Sequence, residues 1–144
     1  MRTTVVRWFV YYKCRKVVNK MAKISESEWK VMKILWDKSP LTSKEIVDYV
    51  LEENDWSRKT VHTLISRLAN KGVINVAKKN KYYEYSPCIS KSDCQIEETK
   101  TFLEKVYNGS LQMFLTNFVK NQHLSKEEIA ELKSIINNNP KEQK

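Results

Sequence analysis

Three times along the chain, a four-residue signal opens a helix. Ser25-Glu26-Ser27-Glu28, Thr42-Ser43-Lys44-Glu45 and Ser125-Lys126-Glu127-Glu128 all have the form S/T-x-x-E. In that form the hydroxyl accepts from the third helical amide, and the glutamate reaches back to the N–H of the cap residue. Three such starts commit the chain to helices. After the first, Trp29, Met32 and Trp36 recur at i, i+3 and i+7. Ile34 and Leu35 widen that apolar face, and Pro40 ends the run. After the second, Ile46, Val47 and Val50 supply the core face. Ser57 caps a further helix, in which Val61, Leu64, Ile65 and Leu68 form one stripe. Gly72 suits the left-handed position just past its end.

The pattern then changes period. Val73–Ala77 and Tyr82–Ser86 are short runs rich in Val, Ile and Tyr, which predicts two strands. Lys78-Lys79-Asn80-Lys81 is expected to form the turn, with Asn80 tolerating positive φ, and Pro87 closes the hairpin. Three helices followed by a hairpin is the order of a winged helix. Helical spacing then returns from Ser90 to about Asn108, where Gly109 stops it. It continues over 110–122 and again from Ser125. The predicted fold is mainly α: a winged helix-turn-helix with a small β-hairpin wing, then a C-terminal helical dimerisation region. The expected divisions are 1–20 as an extension, 21–89 as the DNA-binding domain, 90–138 as the dimerisation domain and 139–144 as a polar tail. Met21-Ala22-Lys23 offers a translation start, so 1–20 reads as upstream sequence or an arm. Its apolar centre, Trp8–Tyr12, is far shorter than the ~20 residues a membrane helix needs.

Charge locates the partner. The formal net charge is +9, which favours a polyanion. Residues 1–20 hold six basic residues and no acid. From Arg58 to Lys81 there are seven more (Arg58, Lys59, Arg67, Lys71, Lys78, Lys79, Lys81), again with no acid. The helix N-terminus carries the positive end of the macrodipole and disfavours cations. Arg58 and Lys59 at such a start make sense if phosphates dock there. Ser57, Thr60, His62, Thr63 and Arg67 offer donors, acceptors and methyls to major-groove base edges. Lys71 continues that face, and Lys78, Lys79 and Lys81 on the wing suit backbone or minor-groove contact. A solvated basic face without a ligand is the plainer alternative.

Composition closes other routes. With only Gly72 and Gly109, the chain has neither a GxGxxG nor a Walker loop. His62 and His123 form no HExxH motif. Cys14, Cys88 and Cys94 never fall at C-x-x-C spacing, so no metal or cofactor is expected. The odd, scattered cysteines argue against a secreted disulfide framework and for a reducing cytoplasm. No nucleophile–base–oxyanion set stands out, so the chain is not expected to be an enzyme.

The C-terminal helices carry little net charge and large apolar faces: Phe102, Leu103, Val106, Leu111, Phe114, Leu115, Phe118, Ile129, Leu132 and Ile136. Burying side chains of this size stabilises by on the order of 1.5–3 kcal/mol each. A second copy of the chain is the simplest cover, and its two-fold symmetry would match a palindromic site. Packing back on the winged helix is the alternative.

The run from Trp56 through Ser57-Arg58-Lys59-Thr60-Val61-His62-Thr63-Leu64-Ile65-Ser66-Arg67-Leu68 to Lys71-Gly72 resembles the recognition-helix signature of the BlaI/MecI penicillinase-repressor family. So do Glu28-Trp29-Lys30-Val31-Met32, Val106-Tyr107-Asn108-Gly109, Leu115-Thr116-Asn117-Phe118-Val119 and Leu124-Ser125 with Glu127-Glu128-Ile129. The resemblance covers about residues 22–136. It implies a homodimeric repressor of palindromic operators ahead of β-lactamase or resistance penicillin-binding-protein genes. It also implies a membrane-bound sensor with a cytoplasmic zinc protease, after whose signal the repressor is cleaved. The family's Asn–Phe scissile pair matches Asn117–Phe118. Arg58 stands where the family commonly has Pro, and His62 where Arg or Gln is frequent. No cysteine follows Cys94, unlike the copper-responsive relatives with their C-terminal Cys-x-Cys motifs. A ligand- or redox-responsive winged-helix regulator and a nonspecific architectural DNA binder are the competing readings.

Overall fold

The computed structural model describes residues 23–139. The readings made for 1–20, and most of the tail, lie outside the described residues. The elements run α1 (Glu26–Lys38), β1 (Leu41–Thr42), α2 (Ser43–Glu53), α3 (Arg58–Lys71), β2 (Ile74–Lys79), β3 (Tyr82–Pro87), α4 (Lys91–Tyr107), α5 (Leu111–Asn121) and α6 (Lys126–Asn137). All three capping boxes form, at Ser25, Thr42 and Ser125, with both reciprocal hydrogen bonds present. Ser57 and Ser110 cap α3 and α5 through their hydroxyls.

The chain divides into two compact units, up to Glu97 and from Glu98, so the division falls within α4. In the first unit, α1, α2 and α3 pack together around one core. Val31, Met32, Leu35, Ile46, Val47, Val50, Val61 and Leu68 are wholly inaccessible there, with Leu64 and Ile65 nearly so. The stripes on α2 and α3 are buried as the spacing predicts. On α1 the buried line is Glu28, Val31, Met32 and Leu35. Trp29 and Trp36 flank it, their rings edge-to-face at 5.3 Å, and the Trp36 indole donates to the Ile89 carbonyl at 2.9 Å.

The sheet has three antiparallel strands in the order β1-β3-β2. β1 is a finding: its two residues pair Leu41 with Tyr85 and Thr42 with Glu84. Two residues carry no periodicity, so only their partner defines them. The hairpin is tighter than predicted. Lys78 and Lys79 are not turn residues but end β2, opposite Tyr83 and Tyr82, which leaves Asn80-Lys81 as the turn. Asn80 does not take positive φ. Among the described residues, the non-glycine residue that does is Asn108, with φ 51°, beside Gly109 at 82°. Gly72 adopts φ 76° at the end of α3, and its N–H donates to the Ala69 and Leu68 carbonyls. Cys94 is buried in the core. Cys88, for which the scattered spacing suggests a structural or incidental role rather than a disulfide framework, is disulfide-bonded.

In the second unit Leu103 is the buried hydrophobic residue among those described. Phe102, Tyr107, Phe114 and Phe118 form an aromatic cluster with successive centroid separations of 5.5 to 6.0 Å. Beside it Val106, Leu111, Met113, Leu115, Val119, Ile129, Leu132, Ile135 and Ile136 remain exposed, Ile135 by 69%. This is the apolar surface the sequence foretold, and it lies bare in a single chain. Leu103, a candidate interface residue by sequence, is already covered within the single chain.

Candidate nucleic-acid interface

The interface is organised by α3. Its buried stripe fixes the roll of the helix against α1 and α2. Arg58, Lys59, Thr60, His62, Thr63, Ser66, Arg67 and Asn70 are therefore turned to solvent. No acidic residue occupies the first turn, which leaves the helix-end amides and two cations facing the same region. The Ser57 hydroxyl accepts from the Thr60 amide at 3.1 Å and lies 2.9 Å from the Thr60 hydroxyl. That pair sets the entry angle of the helix. The Thr63 hydroxyl donates to the Lys59 carbonyl at 2.9 Å. Its proton is thus committed to the helix, and Thr63 offers a ligand its methyl and an acceptor lone pair rather than a donor.

The cations differ in how they are held. Arg58 pairs with Asp48 at 3.0 Å, but both side chains are about half exposed or more, at 61% and 48%. Such a surface pair is worth only ~0–1 kcal/mol, so Arg58 can exchange Asp48 for a phosphate. Lys71 is different. Its ammonium lies 2.6 Å from the carboxylate of Glu28 and 2.7 Å from the Lys23 carbonyl. Glu28 is itself almost fully buried, with 3% of its side chain exposed. Lys71, a candidate DNA contact by sequence, is here counter-ion to a buried carboxylate. It ties the end of α3 to the start of α1.

The wing adds Lys78, Lys79 and Lys81, all exposed. In sequence Tyr82 and Tyr83 read only as strand formers, but both residues stand half exposed, at 50% and 51%. They lie opposite Lys79 and Lys78 on the neighbouring strand. The signal was available, since two aromatics beside a lysine turn cannot both face a core on alternate sides of a hairpin. Asn117 and Phe118 lie on α5, in the second unit. Among the described residues, no group of three or more His, Cys, Asp or Glu is placed to hold a metal ion. No helix among them is long and apolar enough to cross a membrane.

A three-helix core, a hairpin wing and an exposed basic helix face define a winged helix-turn-helix fold of the DNA-binding kind. The sequence agrees. Residues 24–138 match the family model described as penicillinase repressor. The chain is 40% identical over 119 residues to the methicillin resistance regulatory protein MecI of Staphylococcus aureus, covering 83% of this chain and 97% of that one. It is 40% identical over 121 residues to the penicillinase repressor of Staphylococcus aureus, covering 84% and 96%. Among solved structures it is similar to the solution structure of Bacillus licheniformis BlaI, monomeric form, in complex with the blaP half-operator. That likeness has 35% identity and a TM-score of 0.47, over 51% of this chain and 90% of that one. The chain belongs to the penicillinase repressor family.

Proposed function

We propose that this protein is a homodimeric, sequence-specific transcriptional repressor of β-lactam-resistance genes. It acts in the cytoplasm and is switched off by cleavage at Asn117–Phe118. The observation that carries the reading is the exposed face of α3, where short polar side chains alternate with cations while the opposite face is sealed in the core. Arg67, His62, Thr63 and Thr60 read base edges, and Arg58, Lys59 and the Ser57 region hold phosphates at the helix start. Lys78, Lys79 and Lys81 grip the adjoining backbone. The relatives' names supply the regulon: penicillinase and methicillin resistance.

A second copy of the chain covers the bare apolar face of α4–α6. Phe102, Val106, Leu111, Phe114, Leu115, Phe118, Ile129, Leu132 and Ile136 are its interface residues. The dimer matches two half-sites of a palindrome. A membrane-bound sensor protease of the β-lactam-sensing type is the switching partner. Cleavage at Asn117–Phe118 removes α6 and parts Phe118 from Phe114, so the dimer fails and each winged helix keeps only one half-site.

The test is a gel shift on the promoter upstream of the protein's own gene, with and without prior cleavage at Asn117–Phe118. Specific binding lost on cleavage is expected. Affinity should fall by roughly 10³-fold or more between 50 and 200 mM salt if six or more phosphates are engaged. Specific binding that survives cleavage would overturn the switch. Protection without sequence preference would overturn the repressor reading in favour of an architectural one.

A further inference from the structure

The bond between Asn117 and Phe118 sits in the last turns of α5, which ends at Asn121. A zinc protease needs a substrate carbonyl it can polarise, in a backbone stretch that is not helical. In the structure that carbonyl is held twice over. As part of α5 it belongs to the helical ladder, and the Asn121 side-chain amide also donates to it at 2.8 Å. The same Asn121 amide lies 2.8 Å from the Asn117 side-chain oxygen. The Asn117 side-chain amide in turn donates to the Tyr107 hydroxyl at 3.1 Å. All three polar atoms of Asn117 outside its own N–H are therefore engaged.

Tyr107 reaches both sides of the bond. Its hydroxyl holds Asn117, and its ring packs edge-on against Phe114 at 5.5 Å, which in turn contacts Phe118 at 5.9 Å. Access to the side chains is not the obstacle in a single chain. Phe118 is 44% exposed, and Asn117 and Tyr107 line an open groove of about 660 Å³ with Met113, Thr116 and Lys120. The obstacle is the conformation of the backbone.

We infer that Tyr107 and Asn121 form a latch on the Asn117–Phe118 bond, positioning residues that set how often α5 opens there and hence how fast the bond is cut. This rests on the proposed cleavage reading and adds to it a second lock. A partner subunit covers Phe118, whereas the latch lies within each chain and survives dissociation. Loss of the dimer alone therefore does not make the bond a substrate. Opening α5 must break the Tyr107 and Asn121 hydrogen bonds together with the helical turn.

The test uses full-length Tyr107→Phe and Asn121→Val. The first removes only a hydroxyl and keeps the ring. The second removes the donor at nearly equal helix propensity. Amide hydrogen exchange by mass spectrometry is read over 117–122, and cleavage is timed with membranes carrying the sensor. One net hydrogen bond corresponds to roughly a threefold to tenfold change in an opening equilibrium. Exchange over 117–122 should rise by that factor in each variant, and cutting at Asn117–Phe118 should accelerate in step. Exchange over 58–71 and operator affinity should not move, which a general loss of structure would not allow. Unchanged exchange over 117–122 would overturn the latch whatever the protease does. Fragment masses showing that the wild-type chain is cut elsewhere would overturn the cleavage reading instead, and the latch's role in it.

Discussion

Replacing Lys71 with Met separates two roles that look alike in sequence. The substitution keeps a long, helix-compatible stem and deletes the charge. Glu28 is then left with 3% of its side chain exposed and no cation. Its remaining partners are weaker: the Ser25 amide donates to the same oxygen at 3.3 Å. Removing one member of a fully buried ion pair costs about 3–5 kcal/mol. Lys71 is 30% exposed at its side chain, so water replaces part of what is lost, and about 2 kcal/mol is the expected penalty. Loss of a cation from the last turn of α3 adds ~0.3–1 kcal/mol. Urea denaturation of the full-length protein should show a lower midpoint at unchanged m-value. Adding Glu28→Gln should recover part of the loss, because the stranded charge is gone; the double-mutant cycle reports the coupling. Operator affinity measured across a salt series provides the second arm. A phosphate contact removed would lower the slope of log K against log salt by about 0.9. Since Lys71 is committed to Glu28, the slope should stay as in the wild type. A destabilisation below about 0.5 kcal/mol, together with a reduced slope, would refute the reasoning and return Lys71 to the DNA.

Other substitutions divide the remaining surfaces. Arg67→Ala should cost about 1–3 kcal/mol in operator affinity and relax preference at one base position, as read by binding to single-base operator variants. Lys79→Ala should instead weaken all sequences alike and reduce the salt slope by about 1. Gly72→Ala places a Cβ at φ 76° and should destabilise by ~1–2 kcal/mol in thermal unfolding, with the same family of contacts retained. Ile136→Asp charges a side chain left 60% exposed on the bare face; sedimentation velocity should show monomer, against the dimer expected for the wild type. Phe118→Ala should slow derepression in cells challenged with a β-lactam, and unchanged kinetics would remove this bond from the switch.

What could be read from the chain followed the range of the forces involved. Capping boxes are local, three residues from hydroxyl to carboxylate, and all three stand where the sequence places them. The buried stripe of α3 was equally plain, because periodicity reports burial directly. What stayed hidden was non-local. Glu28 announces itself as a capping residue, and it is one. Nothing near it in sequence shows that it is also sealed against Lys71, 43 residues away. β1 is two residues long and is defined only by β3. The hairpin is legible in sequence but the width of its turn is not, because lysines are ordinary turn residues and equally ordinary edge-strand residues. The contacts of Asn117 with Tyr107 and Asn121 depend on how α4 returns into α5 through Asn108 and Gly109, a reversal that the glycine marks without specifying its geometry.

On the proposed dimer, the bare face of α4–α6 also makes the protein sensitive to its own abundance. Where a folded unit is completed by a second copy, the finished species grows with the square of the monomer supply until monomers run out. Halving the number of molecules at cell division then lowers the operator-competent form roughly fourfold in the dilute regime. Copy number thereby becomes a control on leakiness. On the proposed repressor reading, a cell holding few molecules would tolerate background resistance expression, and a cell holding many would keep it silent, without any change in the operator itself.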